Sequence, residues 1–525
     1  MTRIAPDDII ASVRDALQYI ACYHPPDFLA HLGRAHAAEQ GPAARDAIAQ
    51  ILISSRMAAM GRRPICQDTG MVVVFARMGQ SVRIDGARSL GDLVNQAVSE
   101  AWRMESNPLR ASMVAEPLFD RRNTGDNSPA VLHVELVPGD TLELTIAAKG
   151  GGSENKAQFA VLNPGDSVAD WVVDTVETLG AGWCPPGVLG IGVGGSSEKA
   201  MVMAKQAVMG RLDMHALQAR GPQTPEDALR LEIFERVNAL GIGAQGLGGM
   251  TTVLDVKLAT YPTHAASLPV ALMPQCAANR HATVTLDGSG PVTLPPPRLA
   301  DWPEIARAAT ADAARRVDLD RLDPAQIADW RAGETLLLSG RLLTARDAAH
   351  KRLAELHAKG RPLPVDLRDR VIYYVGPVDP VGDEVLGPAG PTTSTRMDGY
   401  TDLMLDLGVL AMIGKAERGA DTVAALGRAR RAYLIAVGGA AVLVGRAIRE
   451  ARTVAFEDLG MEAIREITVE DMPVTVAIDP GGNALHRSGP AQWRRTPRAL
   501  ADPGASAGRV GPSGGRQTDP GGTGV

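Results

Sequence analysis

Three of the four cysteines, Cys66, Cys184 and Cys276, lie in short loops that contain small residues and proline, reading PICQDTG, WCPP and PQCAAN. No CxxC pair occurs, so a zinc site built on a local cysteine pair is disfavoured. Three unrelated buried thiols are one interpretation, because free cysteine is commonly buried. The other is a shared iron–sulfur cluster. Such a cluster usually takes four cysteines, so three ligands would leave one iron open as a Lewis acid.

Arginines stand beside hydroxyl residues at two predicted helix starts in the C-terminal half. The predicted capping boxes are Thr344 with Asp347 and Thr395 with Asp398. Arg346 and Arg396 lie inside these boxes, where exposed backbone N–H groups and the helix dipole already favour an anion. Such a combination suits a carboxylate, although an ordinary solvated capping turn would have the same sequence.

The overall composition narrows the function classes. The 525 residues include 54 lysines and arginines against 60 aspartates and glutamates, a formal charge of −6. This balance creates no general basic surface, so we expect no nucleic-acid partner. Residues 1–20 read as an amphipathic helix rather than a signal peptide, and the longest uncharged apolar stretch, Ala432–Gly445, is too short to span a membrane. We therefore expect a cytoplasmic protein without a membrane partner, whose thiols stay reduced.

The elements that must position these residues indicate a mixed α/β (α+β) fold in two domains. Up to about residue 110 the pattern is mainly helical, and residues 131–137 and 141–148 predict a β-hairpin around a Pro-Gly-Asp turn. A Pro-rich, weakly patterned stretch follows near residue 290, and the last residues lack any periodicity. The predicted parts are a larger N-terminal domain (1–285), a linker (286–333), a smaller C-terminal α/β domain (334–491) and a disordered tail (492–525).

A glycine cluster suggests a competing function. Gly190, Gly192 and Gly195 match G-x-G-x-x-G, which is typical of nicotinamide-dependent oxidoreductases. The preceding Cys184-Pro185-Pro186 leaves almost no room for the strand that a dinucleotide fold requires, and no Walker A sequence is present. We therefore expect a different role for these glycines.

Taken together, these stretches resemble the class I, iron–sulfur-dependent fumarases and the related tartrate-type hydro-lyases. The resemblance spans about residues 60–490. It rests on Cys66–Gly70, Lys149–Lys156, Gly180–Pro186, Gly190–Lys199, His264 before Cys276, Arg346–Arg352, Gly376–Asp379 and Gly390–Asp402. Both halves of the family are joined in one chain, as in the single-chain fumarases.

The resemblance implies a cofactor and a set of site residues. Cys66, Cys184 and Cys276 would ligate a [4Fe–4S] cluster in the larger N-terminal domain. The smaller C-terminal domain would be of the swivelling type. Thr392 and Asp68 would be the proton-transfer residues. The substrate contacts would be Gln67, Asp68, Arg110, Gly150, Gly151, Gly152, Ser153, Glu154, Asn155, Lys156, His264, Arg346, Thr392, Thr393, Ser394, Thr395, Arg396 and Lys415.

The activity that the resemblance implies is reversible hydration of fumarate to (S)-malate, a reaction of the tricarboxylic acid cycle, by a homodimer that binds a small dicarboxylate. The segment Leu109–Met113 lacks the bulky aromatic residue that the family usually has after the arginine, so tartrate or mesaconate/citramalate are alternative substrates. A non-catalytic iron or redox sensor is a third possibility. Arg346, Thr392 and Arg396 argue against it, because a sensor needs no carboxylate clamp.

Overall fold

A computed structural model describes residues 1–305 and 314–496, and the predicted tail lies outside these residues from position 497 onward. In chain order the strands are β1 Thr2–Ile4, β2 Met71–Gly79, β3 Val82–Ile84, β4 Val131–Val137, β5 Leu142–Lys149, β6 Gln158–Leu162, β7 Gly187–Gly194, β8 Val253–Tyr261, β9 Leu268–Gln275, β10 His281–Leu286, β11 Arg315–Asp318, β12 Thr335–Thr344, β13 Val371–Tyr373, β14 Ala411–Gly414, β15 Ala432–Ile435, β16 Ile448–Ala455 and β17 Ile464–Ile478. The fold is a mixed α/β architecture, as predicted.

Helices cover the sheets and connect them. They are α1 Pro6–Cys22, α2 Pro26–Ala38, α3 Pro42–Gly61, α4 Leu90–Trp102, α5 Gly151–Glu154, α6 Val168–Leu179, α7 Ser197–Ala207, α8 Met214–Arg220, α9 Pro225–Ala239, α10 Pro324–Ile327, α11 Asp347–Ala358, α12 Thr401–Asp406, α13 Ala420–Ala429, α14 Ala441–Ala447 and α15 Leu485–Trp493. Short 3-10 helices occupy Ala244–Gly246, Leu299–Asp301, Ser394–Tyr400 and Glu457–Glu462. In the described part of the chain, none of these helices has the length and apolar character needed to cross a membrane.

The first large sheet has the order β10-β5-β2-β4, and its arrangement shows that the predicted hairpin is wrong. Strand β2 lies between the two predicted hairpin strands, antiparallel to β5 and parallel to β4. The apolar run of β2 is buried on both faces, which requires a central position, whereas β4 exposes Val134 and Leu136 at the edge. Local alternation and a turn therefore did not decide the pairing.

The second sheet has the order β6-β9-β7-β8, and β7 is the strand for which the sequence appeared to leave no room. Gly190 and Gly192 lie inside β7 rather than in a phosphate-binding turn. A Cβ at either position would lie 2.2 Å or 2.1 Å from a carbonyl oxygen of α7. These glycines therefore allow a helix to cross the strand closely.

The third sheet belongs to the C-terminal half and has the order β11-β12-β13-β14-β15-β17-β16. Because β17 also pairs with β12, strands β12 to β15 and β17 form a closed ring. Strands β12, β13, β14 and β15 run parallel, so the segments that follow them emerge at one edge. Strand β11 pairs with β12 at the edge of this sheet, and helix α10 lies between these two strands in sequence. Both elements fall within the predicted linker, residues 286–333.

Both predicted capping boxes in this half are wrong. Thr344 is the last residue of β12, its hydroxyl accepts a hydrogen bond from the Arg465 N–H at 3.0 Å, and α11 begins later at Asp347. Asp398 does not cap Thr395; its carboxylate accepts hydrogen bonds from the Arg418 side chain and from Gly419 N–H. In each case a partner that is distant in sequence replaces the local capping contact.

Candidate active site

The topology brings the site loops together from three sheets. Segments after the parallel strands β12, β13, β14 and β15 carry Arg346, Gly376, Lys415 and Gly438, all at the carboxyl edge of that sheet. In the N-terminal half, the loop before β2 and the loop after β5 share an edge because these strands are antiparallel. The loops before β7 and after β9 share an edge for the same reason.

The three predicted cysteine ligands meet at this junction. Cys66 precedes β2, Cys184 precedes β7 and Cys276 follows β9, and all three line one small cavity. Within residues 1–305 and 314–496, no three histidine, cysteine or acidic side chains are placed to hold a single metal ion. The three thiols therefore share one cavity, which is compatible with the three-cysteine ligand set that the sequence predicts.

The backbone leaves space beside these sulfurs. A Cβ at Gly438 would lie 2.8 Å from Cys184 Sγ and 3.0 Å from Gln245 Oε1. Gly438 and Gly439 both line the cysteine cavity, whereas Cys22 lies in α1 and lines a separate pocket. The residues present therefore fit a cluster held by three cysteines, with one side not ligated by a thiol.

The charge next to the sulfurs comes from a buried lysine. Lys415 Nζ donates to Cys184 Sγ at 3.1 Å. Burial by itself lowers the pKa of Lys415, but the Cys184 and Cys66 sulfurs more than offset this and raise it above its ordinary range. Burial raises the pKa of the Cys184 and Cys66 thiols, which the Lys415 ammonium opposes. A permanent cation at this position favours thiolates, the form that binds metal.

A cleft of about 430 Å³ adjoins the cysteine cavity, and both halves of the chain line it. Its cationic side chains are Arg110, Lys149, Lys156, Arg346, Arg396 and Lys415, against the carboxylates of Asp68 and Glu154. Asp68 and Lys415 line the cleft and the cavity alike. The protein has a net negative charge, so the positive charge of this cleft is a local concentration that suits a small dianion.

Two of the arginines have buried donors that no described residue satisfies. The Nε atoms of Arg110 and Arg346 are buried without a hydrogen-bond partner in the described chain. Arg110 Nη1 donates to Gly376 O at 2.6 Å, and Arg346 Nη2 lies 3.3 Å from Glu462 Oε1. Burial lowers the pKa of both guanidinium groups, the direction that desolvation without full compensation produces. These groups are fixed by the protein and still have capacity for an anion.

Asp68 is fixed and ionised at the boundary between cleft and cavity. Its Oδ2 accepts from Gly151 N at 2.8 Å, and its Oδ1 accepts from Gly70 N at 3.1 Å. Burial by itself raises the pKa of this carboxyl, but Arg110, Arg280 and Lys415 lower it below its ordinary value. The carboxylate can therefore accept a proton but does not hold one at neutral pH.

Thr392 lines the cleft from the C-terminal half, and two hydrogen bonds hold its backbone. Its N–H donates to Tyr374 O at 2.9 Å and its carbonyl accepts from Lys415 N at 3.2 Å. Arg396 Nη2 donates to the Thr392 hydroxyl oxygen. Arg396 is in turn close to Asp347, with Nη1 and Oδ2 3.4 Å apart. The hydroxyl proton is thereby free to point elsewhere, while a cation faces the oxygen.

Most of the predicted substrate contacts come together, and a few do not. The predicted residues that line the cleft are Gln67, Asp68, Arg110, Gly151, Gly152, Glu154, Asn155, Lys156, Arg346, Thr392, Thr393, Arg396 and Lys415. Gly150 and Ser153 line the cysteine cavity. Ser394 is buried against the Tyr433 hydroxyl, and Thr395 is exposed. His264 lies exposed in the loop between β8 and β9 and is not among the residues that line the cleft.

Two site residues were missed by sequence reasoning. Arg280 is 1% exposed, lines the cysteine cavity, and its Nη1 donates to Asp68 O at 2.6 Å. Lys149 is equally buried, and its Nζ donates to Ser153 Oγ at 2.5 Å and to Pro274 O at 2.9 Å. Lys149 is the first residue of the stretch Lys149–Lys156, and Arg280 follows Cys276 by four residues, which was the available signal.

Comparison with known proteins agrees with this geometry. The family described as "Fumarate hydratase (Fumerase)" matches residues 10–285, and the one described as "Fumarase C-terminus" matches residues 288–489. The chain belongs to the class I fumarate hydratase family. A relative, the anaerobic class I fumarate hydratase of Escherichia coli, is 33% identical over 450 residues, covering 83% of this chain and 81% of that protein.

Other relatives match different lengths of this chain. The aerobic class I fumarate hydratase of Salmonella typhimurium is 32% identical over 509 residues, 92% of this chain and 85% of that protein. A Methanocaldococcus jannaschii protein, named provisionally as the alpha subunit of an L(+)-tartrate dehydratase, is 33% identical over 284 residues. That match covers 53% of this chain and 95% of the archaeal protein. Both kinds of hydro-lyase are therefore among the relatives.

Proposed function

We propose that the chain is a hydro-lyase that interconverts fumarate and (S)-malate. The observation that carries this proposal is the cationic cleft that adjoins the three-cysteine cavity, with Asp68 and Lys415 common to both. Fumarate and malate are small dianions, and guanidinium groups bind carboxylates in a bidentate manner. The names of the class I relatives support the same reaction.

Residues from both halves of the chain bind and orient the dianion. Arg110 comes from the N-terminal half, whereas Arg346 and Arg396 come from the C-terminal half. A substrate held between them is fixed at both walls of the cleft, which converts the reaction into an intramolecular one and excludes water other than the reacting molecule. The geometry of the binding site therefore depends on how the two halves are positioned relative to each other.

The cofactor that we propose is a [4Fe–4S] cluster held by Cys66, Cys184 and Cys276. When bound, a cluster of this kind with one iron free of thiolate supplies a Lewis acid for the hydroxyl group of the substrate. Lys415 stabilises the thiolates through its hydrogen bond to Cys184. Arg280 adds a second buried cation on the same cavity.

Proton transfer at the neighbouring carbon is assigned to Thr392, and Asp68 is the second proton-transfer group. An alcohol is a poor base unless a cation stabilises its ionised form. Arg396 supplies that cation, because its guanidinium donates to the Thr392 oxygen. Asp68, from the N-terminal half, is ionised and can hold a proton from the reacting water at its Oδ atoms.

A second candidate is the same chemistry on a different dicarboxylate. Ser112 and Met113 line the cleft beyond Arg110, and the first is a small side chain. Space at this position would accept the hydroxyl of tartrate or the methyl of mesaconate and citramalate. The tartrate dehydratase name of the archaeal relative supports the former. A non-catalytic iron or redox sensor finds less support, because it would not need the arginine-lined cleft.

The decisive experiment is an activity assay on protein purified without oxygen. The visible spectrum reports the cluster, and the ultraviolet absorbance of the double bond reports fumarate formed from malate, before and after exposure to air. We expect brown protein whose activity is lost in air. Colourless protein with full activity in air would contradict the cluster, and turnover of tartrate or citramalate far above malate would replace the substrate while leaving the reaction type.

Two cysteine variants, one inside the cavity and one outside it, provide the matched comparison for this assay. We expect Cys276→Ser to abolish activity and alter the visible spectrum, because it removes one thiol of the shared cavity. Cys22→Ser, in α1, should leave both unchanged, since that thiol lies elsewhere. Equal loss in the two variants would show that oxidation or folding, rather than metal ligation, explains the effect.

The remaining proposals concern the protein as a whole. We propose that residues 1–285 form the cluster domain, 334–491 the substrate-binding domain and 286–333 the connection between them. We also propose a homodimer, a location in the reducing cytoplasm and a role in the tricarboxylic acid cycle. Size-exclusion chromatography with light scattering would test the homodimer directly.

A further inference from the structure

A buried arginine outside both the cleft and the cavity connects three segments of the site. Arg63 is 2% exposed and lies three residues before Cys66. Its Nη1 donates to Asn107 Oδ1 at 2.6 Å, its Nη2 donates to Asp379 O at 2.7 Å, and its Nε lies 3.0 Å from Glu384 Oε2. Each nitrogen of the guanidinium group thus has a partner, and the partners come from both halves of the chain.

Each partner leads to a residue of the cleft. Asn107 precedes Arg110 by three residues on the same loop. Asp379 and Glu384 belong to the segment that starts at Gly376, whose carbonyl accepts from Arg110 Nη1 at 2.6 Å. A Cβ at Gly376 would lie 2.6 Å from Arg346 Nη1, so this backbone separates the two cleft arginines.

We propose that Arg63 is a positioning residue that fixes Arg110 and Arg346 relative to each other across the junction of the two halves. This inference rests on the proposed function, because it assumes that these two arginines bind a dicarboxylate. It assigns no direct contact with substrate to Arg63, which is absent from the residues that line the cleft and the cavity.

The geometry requires an arginine in particular. A guanidinium group is planar and offers five donors in a fixed fork, so it can bond to Asn107, Asp379 and Glu384 at once and define their directions. A lysine would keep the charge but act as a single point without that fork. Buried ion pairs contribute little net stability on their own, so the joining of three site segments is the better account of this one.

The test compares Arg63→Lys with the wild-type holoprotein. Kinetics with malate and fumarate measure KM and kcat, and calorimetric titration with succinate, a saturated dicarboxylate, measures binding without turnover. We expect KM and the succinate Kd to rise about tenfold or more, which corresponds to weakening of one charge-assisted contact. We expect kcat to change by less than about threefold and the visible spectrum to be unchanged, because Arg63 does not touch the reacting groups.

Two further variants separate positioning from general stability. Arg230→Lys is the matched control, since Arg230 is another largely buried, ion-paired arginine, bonded to Asp213 and Asp255 far from the site. It should lower the melting temperature without changing KM or Kd. Glu384→Gln keeps the shape of the Arg63 partner and removes its charge, so a smaller rise in KM is expected even if Arg63→Lys fails to fold.

The outcomes distinguish this inference from the proposed function. Wild-type protein that binds succinate but turns over no dicarboxylate would contradict the proposed reaction, while the comparison of Kd values would still test Arg63. Equal Kd values in wild type, Arg63→Lys and Glu384→Gln would overturn the assignment of Arg63. A rise in KM for Arg230→Lys as large as that for Arg63→Lys would overturn it as well.

Discussion

A threonine hydroxyl takes part in proton transfer at neutral pH only when its surroundings stabilise the ionised oxygen. Thr392 has such surroundings, because the Arg396 guanidinium faces its oxygen and the Asp347 carboxylate holds that guanidinium from behind. Thr393, the next residue, also lines the cleft but has no such partner in the described chain. The two neighbouring hydroxyls therefore provide a direct comparison of the same side chain in two environments.

We expect Thr392→Val to lower kcat by about 100-fold to 10,000-fold, the usual range for removal of a general acid–base group. KM should change little, because the charged clamps remain, and the cluster spectrum should be unaffected. Steady-state kinetics on Thr392→Val and Thr393→Val would measure this. An equal decrease in kcat for both variants would assign the effect to packing instead of proton transfer.

At the same scale, the motifs identify some site residues and cannot identify others. The loops around Cys66 and Cys184 are recognisable because cysteine near glycine and proline is unusual, so the sequence could single them out as candidates, and the structure places both at one cavity. Arg63 could not, because its contacts with Asp379 and Glu384 span more than 300 residues of sequence. His264 was predicted from its position in the order of the motifs, and the structure places it exposed in the loop between β8 and β9, so its role stays a prediction.

The glycine positions in β7 determine how closely helix α7 packs on the second sheet. The carbonyl oxygen of Ala200 in α7 would lie 2.1 Å from a Cβ at Gly192, and backbone cannot move aside as a side chain can. The G-x-G-x-x-G pattern could be seen in the sequence, but the same spacing serves a nucleotide turn and a close helix crossing. The position of Gly190 and Gly192 inside β7, rather than in a turn after it, decides between the two.

We expect Gly192→Ala to lower the free energy of unfolding by about 1–3 kcal/mol or more, the usual cost of overpacking a closely packed core. Gly165→Ala is the matched control, since nothing lies within 4 Å of its Cβ position. Thermal denaturation followed by circular dichroism measures both. A Gly192→Ala protein as stable as the Gly165→Ala protein would contradict the close crossing of α7 and β7.

Strand pairing was the part of the fold that local patterns could not predict. Strands β4 and β5 have the alternation and the turn of a hairpin, yet β2 separates them. The fully apolar run Val72–Ala76 was the signal for a central strand, because both faces of such a strand must be covered. Pairing depends on which strand needs two neighbours, which is a property of the whole sheet.

Buried histidines in both halves contribute to the pH dependence of the stability of the whole molecule. His24 and His350 are fully buried, and burial lowers the pKa of each to about 4. An unfolded histidine has its ordinary pKa near 6.5, so the unfolded chain binds more protons below that value. The neutral-histidine contribution is therefore complete above pH 6.5 and is lost as the pH falls from 6.5 towards 4.

We expect wild-type stability to fall by about 2 kcal/mol for each such histidine between pH 7 and pH 5. His350→Phe keeps an aromatic ring beside Tyr374 but cannot be protonated, so its stability should fall less over this range. His357→Phe, an exposed position on the same helix, should keep the wild-type dependence. Denaturant titrations at several pH values provide the measurement, and parallel curves for wild type and His350→Phe would contradict the prediction.

The largest hydrophobic core of the described residues packs helix α3 against segments that follow β15. Ile48 and Leu52 of α3 pack in the same cluster as Val437 and Leu443 near α14. During synthesis α3 leaves the ribosome roughly 380 residues before these partners, a delay of roughly 20 to 80 s at ordinary elongation rates. For that interval α2 is available to cover one part of the α3 apolar face, but the part that later packs against α14 has no partner. Segments made late in synthesis therefore complete a core whose first helices were made at the start.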